Sequence, residues 1–155
     1  MLRYQRADTQ YHLECFRRLV IEYAREMGFD LEQPKLKQEL AGLPGEYAPP
    51  RGCLLLAMAG ERAVGCIALR KLGEVTAEIR RLYIDREFRR QGIARGLTTK
   101  VVEEAHRIGC RQVRLITLPQ MENAISLYRN LGFRFIPAYR PTTADNALFM
   151  ELSIV

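Results

Sequence analysis

The sequence predicts an α+β domain (mixed α/β). Its sheet is mostly antiparallel, with six to seven strands flanked by about four helices, and its fourth and fifth strands are parallel. Three observations predict this. Short apolar runs of strand length alternate with longer runs of helical period, and no repeat or low-complexity tract interrupts them. Three strand-like runs follow one another between residues 53 and 85, joined by short turn signals, as in an antiparallel meander. The third run is followed by a helix and another strand, a right-handed crossover that makes those two strands parallel.

Each element has its own signal. "LRYQRA" is short and alternating, a first strand. Asp8 and Thr9 can cap the helix that follows, in which Leu13, Phe16, Val20, Tyr23 and Met27 recur at helical spacing until Gly28 stops it. "DLEQPKLKQELAGL" is a shorter helix, opened by Asp30 and interrupted or restarted near Pro34. "PGEYAPPRG", residues 44–52, is a loop by its proline and glycine content. "CLLLAMAG" and "RAVGCIALRKL" pair as a hairpin across "GER", and "AEIRRLYID" continues the meander as the fourth strand. "GIARGLTTKVVEEAHRIG" is a helix with Ala94, Leu97, Val101, Ala105 and Ile108 on one face and Gly109 at its end. "RQVRLITL" is a strand. "PQMENAISLYRNLG" is a helix with Pro119 at its start and Gly132 as its stop. "FRFIPAY" and "NALFMELSI" are the last two strands.

Composition narrows the function. The 155 residues suit a single domain over 1–155, and 48% hydrophobic with 27% charged residues is ordinary for a soluble globular chain. No run approaches the roughly 18 apolar residues of a membrane span. "MLRYQRADTQ" lacks the apolar centre of a signal peptide, so a cytoplasmic location is expected. Cys15, Cys53, Cys66 and Cys110 are scattered, no CxxC occurs, and the histidines are His12 and His106; reduced thiols and no metal site are expected. The net charge of +6 suits an anionic partner: nucleic acid, an acidic surface or a phosphorylated cofactor.

The segment "YIDREFRRQGIARGL", residues 83–97, concentrates this charge. Its arginines sit where the fourth strand hands over to a helix. A helix start presents unpaired N–H groups and the positive end of the helix dipole, and glycine lets the main chain approach a ligand. Together these parts make a phosphate cradle. Neither GxxxxGK[ST] nor GxGxxG is present. Arg89-Arg90-Gln91-Gly92-Ile93-Ala94 instead fits [RQ]-x-x-G-x-[GA], and about 30 residues later comes "ISLYRNLGF". This pair of motifs, with the order of elements over essentially the whole chain, resembles the GNAT superfamily of N-acetyltransferases.

The resemblance implies a fold in which the parallel strands 4 and 5 splay apart to hold acetyl-CoA, used as co-substrate without a metal. It implies that Arg89, Arg90, Gln91, Gly92, Ile93, Ala94 and Arg95 grip the pyrophosphate, and that Leu82, Tyr83 and Ile84 pair with the pantetheine arm. Ile79 falls on one phase of the strand alternation while Leu82 and Ile84 fall on the other. A β-bulge around Arg80 and Arg81 reconciles them and frees an N–H, that of Leu82, for the thioester carbonyl. A sheet covered on both faces accommodates the same mixture; the resemblance favours the bulge. Glu78, four residues before Leu82, matches a general base of one GNAT branch; by its residue type alone it is a strand glutamate paired with Arg80, Arg81 or a cross-strand cation. The strand-5 position that carries a glutamate in another branch is Ile116. Tyr128 matches a residue placed near the coenzyme sulfur, while its helical spacing alone suits a core tyrosine. Many members carry an asparagine seven residues before that tyrosine. Here it is Met121, with Asn123 close by and aimed at a different face.

The implied activity is transfer of acetyl from acetyl-CoA to a primary amine by direct attack, through a tetrahedral intermediate. The acceptor walls are "LPGEYAPPRG" and "IPAYRPTTADN", with Tyr47, Arg51, Tyr139 and Arg140. Arginines there, with Arg80 or Arg81, favour a carboxylate-bearing acceptor, an amino-acid-like metabolite over a protein N-terminus or lysine. The alternatives are an acetyl-CoA sensor without turnover and a basic nucleic-acid binder. No nucleic-acid motif and no membrane partner is evident, and an exposed strand edge leaves homodimerisation open.

Overall fold

Seven strands form one twisted sheet in the order β1-β2-β3-β4-β5-β7-β6. The computed structural model describes residues 1–154. The strands are β1 Leu2–Arg6, β2 Gly52–Ala59, β3 Arg62–Lys71, β4 Thr76–Ile84, β5 Gln112–Thr117, β6 Arg134–Ile136 and β7 Leu148–Ser153. The helices are α1 Gln10–Met27, α2 Pro34–Ala41, α3 Ile93–Arg107 and α4 Glu122–Asn130. β4 and β5 are the parallel pair and the other neighbours are antiparallel. β7 enters between β5 and β6, so β6 is the edge.

Both faces of the sheet are covered, which explains the nearly continuous apolar runs of β2 and β3. Alternate residues sort between two cores. Ile67, Leu69, Ile79 and Val113 meet Leu97 and Val101 of α3 and Tyr128 of α4. Leu56, Met58, Cys66 and Ala68 meet Phe16, Leu19 and Leu36 from α1 and α2. All four cysteines are buried free thiols. Among the described residues no helix is long and apolar enough to cross a membrane.

The helix starts narrow two expectations and correct a third. Thr9, not Asp8, caps α1, its hydroxyl accepting from the His12 N–H at 3.1 Å. α2 begins at Pro34 with Gln33 as cap; Asp30 instead closes a turn, accepting from the Glu32 N–H. α4 starts at Glu122, so Pro119 lies in the turn before it. α1 thus uses one of its two expected caps and α2 the expected restart at Pro34, while before α4 a turn from Leu118 to Met121 takes up Pro119. "FRFIPAY" contributes only the three-residue β6, because the chain turns away at Pro137.

Candidate active site

β4 carries an irregularity at the position its mixed alternation indicates. Cys66 of β3 pairs with Tyr83 and Ala68 pairs with Arg80, so two residues of β4 lie opposite one of β3. Arg81 takes up the difference in the left-handed region, φ 60°, where a long side chain is strained. β4 and β5 pair only from Thr76–Gln112 to Glu78–Arg114. Past Glu78 the two strands separate, and the β5-facing main chain of the second half of β4 has no strand partner among the described residues. A bulge opposite a gap leaves peptide groups free for a ligand.

At the end of β4 the chain makes a short turn, Arg86–Phe88, and enters α3 through Gly92, which caps the helix without any side-chain hydrogen bond. Arg90 has φ 64° and Gly92 φ 79°. A Cβ at Gly92 would meet nothing within 4 Å, so glycine is required there for its backbone conformation alone. The first N–H groups of α3 therefore point into an open, cationic turn. Arg90 and Arg95 are exposed and form no ion pair among the described residues. Arg89 departs from the expected role: its guanidinium donates to the Ile84 carbonyl and to Glu26 of α1, both near 2.9 Å, and stacks over the Tyr83 ring. It braces the turn rather than facing it. Gly96, in the same segment, has a packing reason. A Cβ there would sit 1.8 Å from the Tyr4 hydroxyl, so the glycine makes room for β1. Gln91 is exposed in the turn, while the Ile93 side chain is buried in the core and leaves only its N–H to the site. Ala94 is half-buried.

Tyr128 is buried against Phe133, with ring centroids 5.5 Å apart. Burial raises its phenol well above the usual tyrosine value, so it is a neutral hydrogen-bond donor. Among the described residues His12 Nδ1 is the one enclosed side-chain polar atom without a partner. The Tyr128 hydroxyl makes no hydrogen bond among the described residues. Asn123 lies exposed in the first turn of α4, and Met121 instead accepts through its sulfur from Thr117 at 3.5 Å.

Glu78 is the most heavily engaged carboxylate in the molecule. It is 1% exposed. Oε1 accepts from Arg70 at 2.9 and 3.2 Å and from Arg140 at 3.3 Å; Oε2 accepts from Tyr139 at 2.6 Å and Arg140 at 3.1 Å. Burial pushes this carboxyl up, but the Tyr139 and Arg140 hydrogen bonds and the charges of Arg140 and Arg70 outweigh it and hold it below the usual value. Both oxygens are occupied, so a direct approach by an amine is closed. Of the partners the sequence offers, Arg80, Arg81 or a cross-strand cation, the cross-strand cation is the main one: Arg70 stands opposite Glu78, with the distant Arg140 added and Arg80 at a longer 3.8 Å. Both Arg80 and Arg81 hydrogen-bond Glu39 of α2, which accepts from Arg81 twice at 2.8 Å and from Arg80 at 3.3 Å. Arg80 also donates to the Tyr47 hydroxyl, and Arg70 to Glu46. Tyr139 is fixed from its other sides by the edge of Phe149 and by Arg114 over its ring at 4.9 Å. Arg51 stands outside this network, 4.0 Å from Glu74 and exposed.

A family model decides whose geometry this is. The model of the acetyltransferase (GNAT) family matches residues 13–133. The chain belongs to the GNAT family. It is an acyltransferase by that membership. An uncharacterized N-acetyltransferase of Schizosaccharomyces pombe is 31% identical over 144 residues, 92% of this chain and 88% of the relative. An N-acetylaspartate synthetase of Danio rerio is 32% identical over 72% of this chain, which spans only 40% of that relative's length. GNAT structures share the fold. An acetyltransferase of Streptococcus agalactiae superposes with TM-score 0.84 at 16% identity, covering 99% of this chain and 98% of the other. The PaiA N-acetyltransferase of Thermoplasma acidophilum, solved with coenzyme A, superposes with TM-score 0.77 at 18% identity, covering 99% of each chain.

Glu39, Glu46, Arg70 and Glu26 were missed as site residues. Each lies far in sequence from its partner, and no spacing rule links them. A signal existed only for Arg70, which the β3–β4 meander places opposite Glu78 once the register is known.

Proposed function

We propose that this GNAT enzyme transfers the acetyl group of acetyl-CoA to the primary amine of a small, amino-acid-like acceptor. The observation that carries the reading is the uncapped start of α3 beside a bulged β4 that β5 has left. This donor set suits a coenzyme: N–H groups of residues 92–95 with Arg90, Gln91 and Arg95 for the pyrophosphate, and the main chain of Leu82, Tyr83 and Ile84 for the arm. When bound, the thioester supplies an activated acetyl carbon and a thiolate leaving group.

The chain's own groups then have distinct tasks. The Leu82 N–H donates to the oxygen that becomes negative as the amine attacks. The Tyr128 hydroxyl donates to the departing sulfur; being neutral at working pH, it always has its proton to offer. Glu78 serves as proton acceptor by an indirect route. Its ionised carboxylate accepts a hydrogen bond from the Tyr139 hydroxyl, O to O 2.6 Å, leaving the phenolic oxygen's lone pairs free to take the amine's proton as its own passes to Glu78. Asn123, exposed in the first turn of α4, would meet the arm from there.

The acceptor reading rests on charge. Arg70, Arg80, Arg81 and Arg140 face Glu39, Glu46 and Glu78, which leaves one positive charge in excess. Arg140 is the more open of the arginines on Glu78, 35% exposed, and suits a substrate carboxylate. Relatives named N-acetylaspartate synthetase favour an amino acid as the amine. The enclosed state of Glu78 favours a second reading, a domain that binds acetyl-CoA without turnover. The experiment is a thermal shift with acetyl-CoA followed by thiol release against a panel of amino acids, polyamines and peptides. A raised melting temperature with thiol release on one amino acid supports the enzyme. A raised melting temperature with no release on any amine supports the sensor. No thermal shift contradicts both.

A further inference from the structure

The bulge places a long, charged residue, Arg81, in the left-handed region. Such a conformation persists only where its surroundings over-determine it. Two contacts hold it, from two directions. The guanidinium is clamped bidentately by Glu39 of α2, with both N–O distances 2.8 Å and Glu39 only 15% exposed. The carbonyl accepts from the thiol of Cys66, Sγ to O 3.2 Å. Cys66 is wholly buried in the core under α1 and α2. Burial pushes its thiol far up, so the sulfur keeps its proton and remains a donor.

The carbonyl of Arg81 and the N–H of Leu82 belong to one peptide plane. In a trans peptide they point in opposite directions. A carbonyl drawn toward Cys66 on β3 therefore turns the Leu82 N–H away from β3, toward the gap that β5 leaves beyond Glu78. Backbone pairing does not supply this constraint, because the register skips at this peptide. We infer that Cys66 and Glu39 are positioning residues that hold the Arg81–Leu82 peptide turned so that its N–H faces the thioester carbonyl. This rests on the acetyl-CoA reading above and assigns a task to a cysteine and an α2 glutamate that touch neither substrate nor coenzyme.

The test uses acetyl-CoA labelled with 13C at the carbonyl and requires no knowledge of the acceptor. Difference infrared spectra report the hydrogen bond to the bound carbonyl, and calorimetry reports affinity. In the native protein the carbonyl band should lie below its solution frequency. In Cys66→Ala it should return at least halfway, with affinity within about twofold, because the remaining coenzyme contacts are untouched. Cys66→Ser retains a donor and should lie closer to the native protein than Cys66→Ala does. Glu39→Gln, an isosteric change that keeps one hydrogen-bond acceptor but removes the charge, should shift the band in the same direction and decides the matter where Cys66→Ala does not fold. An unmoved band in the folded variants overturns the positioning role. Absence of any binding by the native protein overturns the acetyl-CoA reading instead, so the two failures are distinct.

Discussion

The two halves of β4 are organised in opposite ways. Its second half, with the turn into α3, is a main-chain surface: a displaced peptide, a helix start without a side-chain cap, and two cations, Arg90 and Arg95, that form no ion pair among the described residues. Its first half is a side-chain surface, where Glu78 and its neighbours saturate one another. The coenzyme end is open because a pyrophosphate and an amide arm are recognised by peptide groups, which any side chain leaves intact. The acceptor end is closed by a network that has to be right at every member, since a buried charge left alone is costly. The difference predicts that substitutions at the first half disturb stability and turnover, and substitutions at the second half disturb coenzyme affinity.

The largest effect should come from removing Glu78. Glu78→Ala leaves Arg70 with Glu46 alone and Arg140 and Tyr139 without their carboxylate; because Arg140 is partly exposed, the loss should lie toward the lower end of the about 3–5 kcal/mol of a broken buried pair. Urea denaturation should show that loss, while the fraction that remains folded should bind acetyl-CoA with near-native affinity. A loss below about 1 kcal/mol, the range of a surface pair, would break the contrast between the halves. Next comes Tyr139→Phe. It keeps the Phe149 and Arg114 contacts but removes the proton path, so kcat should fall by on the order of 100-fold at unchanged acetyl-CoA affinity. Unchanged kcat with the best amine of the panel would exclude Tyr139 from the proton route.

On the other half the effects are smaller and of a different kind. Arg90→Ala with Arg95→Ala should weaken acetyl-CoA binding roughly tenfold, with a weaker salt dependence than the native protein, because both cations are exposed and screened. Arg89→Ala should do less to affinity and cost at most about 1 kcal/mol of stability, since its pair with Glu26 is partly exposed. The smallest effect near neutrality is that of pH. Glu39 and Glu78 are both held below the usual carboxylate value: burial opposes this, and Arg81 and Arg80 for the former, Tyr139, Arg140 and Arg70 for the latter, overcome it. A depressed carboxyl contributes stability that is present in full above its unfolded value of roughly 4.3 and is lost as pH falls through its lower folded value. Stability should therefore be level from pH 8 to 5 and fall below about 4.5. In Glu78→Ala that acid-side loss should be shallower.

The sequence carried the coenzyme half far better than the acceptor half. Gly92 in its motif, the mixed alternation of Ile79, Leu82 and Ile84, and the crossover from β4 through α3 to β5 are all local patterns, and each fixes a main-chain feature. The alternation alone also suits a sheet covered on both faces, as this one is; the resemblance favours the bulge, which lies at Arg81–Leu82. The partners of Glu78 follow from no local pattern. Arg140 lies 62 residues away and Tyr139 61, in a loop whose course depends on β7 entering the sheet before β6. Arg89 shows the limit within the motif itself. Its position in the pattern suggests a phosphate contact, but Glu26 at the end of α1, invisible as a neighbour in one dimension, draws it away. Gly96 is the same lesson from the packing side, where Tyr4 dictates the residue.

Amide hydrogen exchange with and without coenzyme A tests the division of β4 most directly. The account predicts that coenzyme A slows exchange at residues 82–84 and 90–95 and leaves 76–79 and 139–140 unchanged. Protection centred on Glu78 and the 139–140 loop, with the start of α3 unaffected, would contradict it.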